Sequence, residues 1–162
     1  MTPIIIPPTT PHCYLSFNRA LNLRVAGELT GDWHFKVAFF CDPFGPRKVA
    51  SLAGIGQPID TTPVLQDFGV RDMAAILREK RIIIDSGPIH VANHFRAIAD
   101  LSFYDCWKGR LPGVATAETV HQWLDTNDQV GHLISFYLEP LRDLLSGASC
   151  RQLDDLVAGI RG

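Results

Sequence analysis

The sequence predicts an α+β fold that is mostly helical: a bundle of about five helices with an N-terminal β-hairpin packed against it. Two observations predict this class. In the C-terminal half, apolar residues recur at helical spacing between residues that favour helix ends. In the N-terminal half, apolar and polar residues alternate in two short runs separated by a glycine turn. A chain of 162 residues is expected to form a single domain over 1–162.

The longest helix is predicted over 88–108. A proline suits its first turn, where a missing N–H has no consequence, and a glycine follows its last turn. On a helical wheel, Phe95 and Ile98 fall on an apolar side, whereas His90 and Asp100 fall on a polar side. The pattern predicts that the first side is buried and that the second is wet or faces a groove.

The N-terminal hairpin is predicted from alternation over 21–29 and 33–40, with a turn at 30–32. The rival interpretation is a helix over 18–29, whose leucine and valine positions lie four residues apart. The hairpin is favoured because two glycines in this stretch weaken a helix. The run over 33–40 is predicted to be a strand under either interpretation.

Other parts of the N-terminal half are predicted from proline and glycine. Residues 1–12 form an extended arm, whose isoleucines pair as an edge strand or dock on a partner. Residues 42–60 form a long loop. A short helix over 62–69 follows, and a helix over 70–80 comes next.

The C-terminal helices have clear start signals. A helix is predicted over 116–126, and the capping box at 126–129 begins the most amphipathic helix of the chain. Pro140 should kink that helix near Phe136, because proline removes a backbone donor. A second capping box at 149–152 begins a last helix.

Composition excludes several classes of function. Fifteen basic and seventeen acidic residues give a net charge of −2, so generic nucleic-acid binding is disfavoured. No apolar run is long enough to span a membrane, and no basic segment precedes an apolar run as in a secretory signal. The four cysteines lack C-x-x-C spacing, which indicates reduced thiols and a cytoplasmic protein.

Two histidine-containing pairs suggest a metal site. His90 and His94 lie four residues apart in the predicted long helix, and His121 and Asp125 repeat the spacing in the next helix. Antiparallel packing of the two helices would bring the pairs together as ligands for Zn, Fe or Mn. No His-Glu-x-x-His motif supports this, so the favoured interpretation is polar-face histidines that are hydrogen-bonded to loops or exposed to solvent, and no cofactor.

Aromatic residues suggest a pocket and a partner surface. Trp33 and His34 lie near the hairpin turn, where they could line a ligand pocket. Trp107 and Phe136 lie at the edge of or outside the apolar stripes of their helices, as residues on partner surfaces do. The alternative for Phe136 is that the kink at Pro140 rotates it into the core. Cys106 falls on an apolar helix side, which disfavours a thiolate nucleophile.

The basic residues cluster in one place, formed by Arg71, Arg78, Lys80 and Arg81. They predict a solvated helix face, with Arg71 and Arg78 on one side, that could contact an acidic partner or nucleic acid. No G-x-S-x-G elbow or phosphate-binding P-loop occurs in the chain.

These observations favour a non-enzymatic interaction or regulatory module that acts through protein–protein contacts. Its partner would be an unidentified protein or a second copy of the chain, and neither a membrane nor nucleic acid is expected to be a partner. The alternative is a metal-dependent, hydrolase-like enzyme with its site between two helices. A further alternative is a weak nucleic-acid contact through the basic helix face.

Overall fold

The computed structural model describes residues 2–31, 35–42, 44, 46–82 and 87–162. The predicted α+β, mostly helical class is confirmed. Within these ranges the chain forms seven α-helices together with sheets of two and four strands. None of the described helices is long and apolar enough to cross a membrane.

The helices lie mainly in the C-terminal half. They are α1 (Phe17–Leu21), α2 (Thr62–Leu65), α3 (Ala74–Glu79), α4 (His94–Lys108), α5 (Ala117–Trp123), α6 (Asn127–Leu133) and α7 (Gly147–Arg161). Between α6 and α7 the chain forms a π-helical segment, Ile134–Leu138, and a 3-10 helix, Glu139–Leu144. Another 3-10 turn covers Val37–Phe39.

The strands are short and join distant parts of the chain. They are β1 (Thr2–Pro3), β2 (Cys13–Leu15), β3 (Cys41–Asp42), β4 (Leu52–Gly54), β5 (Val70–Asp72) and β6 (His90–Ala92). The four-stranded sheet has the order β4-β2-β6-β5, in which β2 and β6 are parallel and the other pairs antiparallel. Strands β1 and β3 form the second sheet as an antiparallel pair.

Helix α4 begins six residues later than predicted. The Asn93 side chain accepts a hydrogen bond from the Arg96 amide at 2.8 Å and caps the helix at its first turn. Residues 90–92 form β6 instead, because this segment pairs with β2 and β5. The predicted end is confirmed, since Gly109 adopts the left-handed conformation with φ 66°.

The predicted division of α4 into a buried apolar side and a wet polar side is wrong. Asp100 and Arg96 are completely buried, and His90 is not on the helix. Ile98 is buried as expected, but Phe95 is only partly buried. Helix α4 packs against α1, α7 and the π-helical segment, so that neighbours surround most of its circumference.

The structure corrects the position of the N-terminal strands. The segment predicted as the first hairpin strand begins with the end of α1, and β1 to β4 lie elsewhere. Leu21 and Leu23 are both fully buried without forming a strand, whereas Leu29 is exposed. The alternation therefore reflects a helix end and the loop after it. The described part of 33–40 contains a 3-10 turn and no strand.

The predicted arm and long loop both contain sheet structure. The arm contributes β1, and Ile4 is buried beside it. The predicted loop over 42–60 contains β4, which is buried against β2. Ile5 and Val49 form a parallel bridge that ties the arm to this segment.

The predicted helix over 70–80 is a strand followed by a helix. Asp72 ends β5, and its carboxylate accepts hydrogen bonds from the amides of Ala74 at 2.9 Å and Ile89 at 3.1 Å. These bonds attach the strand end to the chain entering β6. Helix α3 therefore begins at Ala74, after the Asp72 side chain has joined the two strands.

The C-terminal predictions are confirmed except for one capping box. Thr126 and Gln129 form the expected capping box of α6. The regular helix ends at Leu133 and continues as the π-helical segment, so the disruption lies where Pro140 predicts it. The predicted capping box at 149–152 is wrong. Helix α7 begins earlier, at Gly147, and its capping box joins Ser146 and Ser149, where the Ser146 amide donates to Ser149 Oγ at 3.2 Å.

Candidate interaction surface

A buried carboxylate lies at the centre of the molecule. Asp100 Oδ2 accepts hydrogen bonds from Tyr14 Oη at 2.9 Å and Ser16 Oγ at 2.7 Å. Its Oδ1 accepts one from Thr61 Oγ1 at 2.6 Å and lies 3.7 Å from Arg96 Nε. The carboxylate therefore joins α4 to β2, to the start of α1 and to the residue before α2. These five residues are called the buried network below.

The electrostatics of the network follow from its burial. Burial raises the pKa of Asp100, and the Arg96 charge and the three hydroxyl donors act in the opposite direction. Burial and the Asp100 charge raise the pKa of Tyr14, so its hydroxyl keeps its proton and donates. The Arg96 guanidinium lies 5.1 Å from the centre of the Tyr14 ring.

The same arginine holds the turn that follows α2 and covers residues 66–69. Arg96 Nη1 donates to the Phe68 carbonyl at 2.6 Å, and Nη2 donates to the Gln66 carbonyl at 2.8 Å. A longer bond of 3.4 Å joins Nη1 to the Leu65 carbonyl. Gln66 has φ 49° and ψ −129°, a strained conformation for a residue with a side chain. The planar guanidinium thus stabilises a turn that local preference disfavours.

This turn places the Phe68 ring at the surface, where it is the first of five aromatic rings that contact one another in a row. The ring centroids of Phe68 and Tyr137 are 4.8 Å apart, and those of Tyr137 and Phe95 are 5.6 Å apart. His132 follows at 4.8 Å from Phe95, and Phe136 lies 4.9 Å from His132. Phe68 is 44% exposed and Phe136 is 55% exposed. These five residues are called the aromatic patch.

The π-helical segment places Phe136 at the surface and buries its neighbour Tyr137. The Tyr137 hydroxyl accepts a hydrogen bond from Asn93 Nδ2 at 3.2 Å, which links the patch to the cap of α4. Gly69 is required here, because a Cβ would lie 2.8 Å from Asn93 Oδ1 and from Tyr137 Oη. π-Helical turns within helices are frequent at functional sites.

His94 has a structural role beside the patch. Its Nε2 donates to the Leu23 carbonyl at 2.6 Å, so Nδ1 of the neutral ring accepts from Thr30 Oγ1 at 2.7 Å. Burial lowers the pKa of His94, against the Leu23 hydrogen bond and the Glu28 charge. Gly31 packs against the ring so closely that a Cβ would lie 2.7 Å from Cε1.

The structure does not bring the four predicted metal ligands together. His90 lies on β6, so the helical pairing with His94 is wrong. His121 is exposed on α5 and donates to a backbone carbonyl of α7 at 2.8 Å, and Asp125 is exposed beyond the end of α5. Among the residues with described positions, no three or more His, Cys, Asp or Glu side chains form a group that could hold a metal ion.

The other predicted aromatic positions have different outcomes. Trp33 and His34 lie outside the described residues. Trp107 is 49% exposed and lies beneath Lys108, whose Nζ is 4.6 Å from the ring centre. Trp107 follows Phe95 by twelve positions on the helix, about 18 Å along the axis, so Trp107 is not part of the aromatic patch. Phe136 is.

The basic residues do not share a helix face. Arg71 lies on β5 and forms an ion pair with Glu28. Arg78 donates to a backbone carbonyl at 2.9 Å, and Lys80 Nζ lies 4.3 Å from the centre of a phenylalanine ring. Arg81 is exposed after the end of α3. The predicted common face of Arg71 and Arg78 is wrong, because a strand and a helix divide the segment.

Comparisons with known proteins leave the site to be interpreted from its geometry. No family model, curated protein or solved structure matches the chain. Sequence reasoning found Phe136 but missed Arg96 and Asp100, whose four-residue spacing is the signal of a helical ion pair. It also missed Phe68, which lies directly before the predicted stop glycine.

We predict that Arg96→Met destabilises the protein by about 3–5 kcal/mol, because it leaves the Asp100 carboxylate buried without its charge partner. Equilibrium urea unfolding measures the loss. The matched control is Arg142→Met, which removes an arginine from the exposed ion pair with Asp154. That change should cost less than about 1 kcal/mol. Similar losses for the two variants would contradict a stabilising buried network.

His94 gives a pH-dependent contribution to stability. Its pKa is lowered in the folded state, so the unfolded chain binds the proton first as the pH falls. The contribution is complete above the unfolded pKa of about 6.5 and is lost as the pH falls from there towards the folded pKa. We expect the free energy of unfolding of the wild type, relative to His94→Gln, to decrease between pH 8 and pH 5. If the free energies of unfolding of the wild type and His94→Gln changed equally with pH, the His94 ring would not be buried in its neutral form.

Proposed function

We propose that this protein is a non-enzymatic interaction module and that its aromatic patch binds a second copy of the chain. The observation that carries the proposal is the row of contacting aromatic rings, which ends at the surface in Phe68 and Phe136. Exposed aromatic clusters mark contact surfaces, and a few aromatic side chains often supply most of the binding energy.

The patch is held in position before any partner binds. Arg96 fixes the turn that carries Phe68, and Asn93 holds the hydroxyl of Tyr137. Association loses less conformational entropy when the contacting side chains are already ordered. A fixed row of rings is therefore suited to binding, whereas scattered apolar side chains on mobile loops are not.

A second copy suits this surface because a two-fold contact places the same rings on both sides, and aromatic rings pack favourably against other aromatic rings. Two nearby charges are paired within the chain, Arg71 with Glu28 and Glu139 with Arg161. Asp67, directly before Phe68, is exposed, so the contact must keep the two copies of this carboxylate apart.

Two groups with potential chemistry support a role other than catalysis. Both ring nitrogens of His94 are engaged by Leu23 and Thr30. Burial and then the Asp105 charge raise the pKa of Cys106 to about 12, so the thiol stays protonated at neutral pH.

We predict that Phe136→Ser weakens dimerisation by about tenfold or more, since it removes an exposed ring from the contact. Sedimentation equilibrium over a range of concentrations measures the dimer dissociation constant. Phe44→Ser is the matched control, because Phe44 is also exposed and lies outside the patch. A wild type that remains monomeric at ~100 μM, or an equal effect of the two variants, would refute self-association through the patch.

A further inference from the structure

A cleft of about 750 Å³ lies between the β4 segment and α4, away from the aromatic patch. Its floor includes four buried apolar residues, Ala50, Leu52, Ile59 and Leu101. The volume falls within the range of about 300–1,000 Å³ that is usual for small-molecule sites. The cleft therefore has the size and the apolar floor of a ligand site.

One wall of the cleft contains a strained residue. Phe17 has φ 62°, the left-handed conformation, which is unfavourable for a bulky side chain. The preceding residue, Ser16, donates its hydroxyl to Asp100 at 2.7 Å and therefore does not cap α1. Backbone strain of this kind collects at ligand sites, where the surrounding structure maintains it. The buried network maintains it here.

Among the described residues, one charged side chain lines the cleft, and the neighbouring Asp105 balances part of its charge. Of the described residues that line it, Arg110 is the single cation, and none is acidic. Asp105 Oδ1 accepts from Arg110 Nε at 3.0 Å and from Nη2 at 2.7 Å. The Arg110 guanidinium also lies 4.2 Å from the centre of the Tyr104 ring. The arginine side chain remains 38% exposed, so it is positioned and still accessible to a ligand.

We propose that this cleft binds a small amphipathic molecule, with its apolar body on the floor and one anionic group at Arg110. The apolar floor supplies the affinity, and the guanidinium supplies the preference for an anion. The proposal is independent of self-association, because the residues that line the cleft are not those of the aromatic patch.

Two fluorescent dyes with the same rings test the proposal: anilinonaphthalene sulfonate, an anion, and phenylnaphthylamine, which is neutral. We expect the wild type to bind the anionic dye saturably at one site and more tightly than the neutral dye. Ser51→Trp, at the exposed rim, should abolish binding of both dyes by filling the cleft. Arg110→Gln should weaken the anionic dye by roughly tenfold and leave the neutral dye unchanged.

The matched control is Phe136→Ser, which alters the patch and should keep wild-type dye binding. Loss of binding in Phe136→Ser, or full binding in Ser51→Trp, would overturn the cleft as the site. An equal effect of Arg110→Gln on both dyes would overturn the anionic preference. If that variant does not fold, salt titration of the wild type serves instead. Added salt should reduce the advantage of the anionic dye, and an unchanged advantage would overturn the role of Arg110.

Discussion

The structure depends on one constraint, which is that a buried carboxylate must have partners. Asp100 is completely buried on the central helix, and an isolated charge there would be strongly unfavourable. It is satisfied by Arg96 and by hydroxyls from Tyr14, Ser16 and Thr61. Because these partners come from separate elements, satisfying the carboxylate also fixes how those elements pack. Short strands and short helices are sufficient for this fold because the network joins them.

The network also explains two strained positions. Phe17 and Gln66 both have positive φ angles, which residues with side chains disfavour. Phe17 follows Ser16, which donates to Asp100, and the Gln66 carbonyl accepts from Arg96. One strained residue lines the cleft, and the other lies in the turn that carries the exposed ring of Phe68. A single buried ion pair therefore supports both proposed binding surfaces.

Local features of the chain were predictable from the sequence, and long-range features were not. The capping box of Thr126 and Gln129 and the disruption caused by Pro140 act within a few residues, and both are confirmed. The sequence predicts a wet polar side of α4 because polar residues are usually exposed. Its burial depends on hydroxyl donors 39, 84 and 86 residues away in sequence, which no helical wheel contains.

The strands show the same limit. Strand β6 exists because β2 and β5 lie beside it, and its three residues resemble the first turn of a helix. One end of the aromatic patch could be predicted from the sequence, because Phe136 lies outside the apolar stripe of its helix. The other end could not be predicted, because the position of Phe68 depends on the hydrogen bonds of Arg96.

Hydrogen exchange of Arg96→Lys, compared with the wild type, tests the central claim most directly. Lysine keeps the charge but lacks the planar fork that donates to the carbonyls of Gln66 and Phe68. If Arg96 fixes the turn, amides around 65–70 should exchange faster in the variant, while those of α7 keep their protection. Unchanged protection around 65–70 in a folded variant would contradict the claim that the buried arginine holds this surface in place.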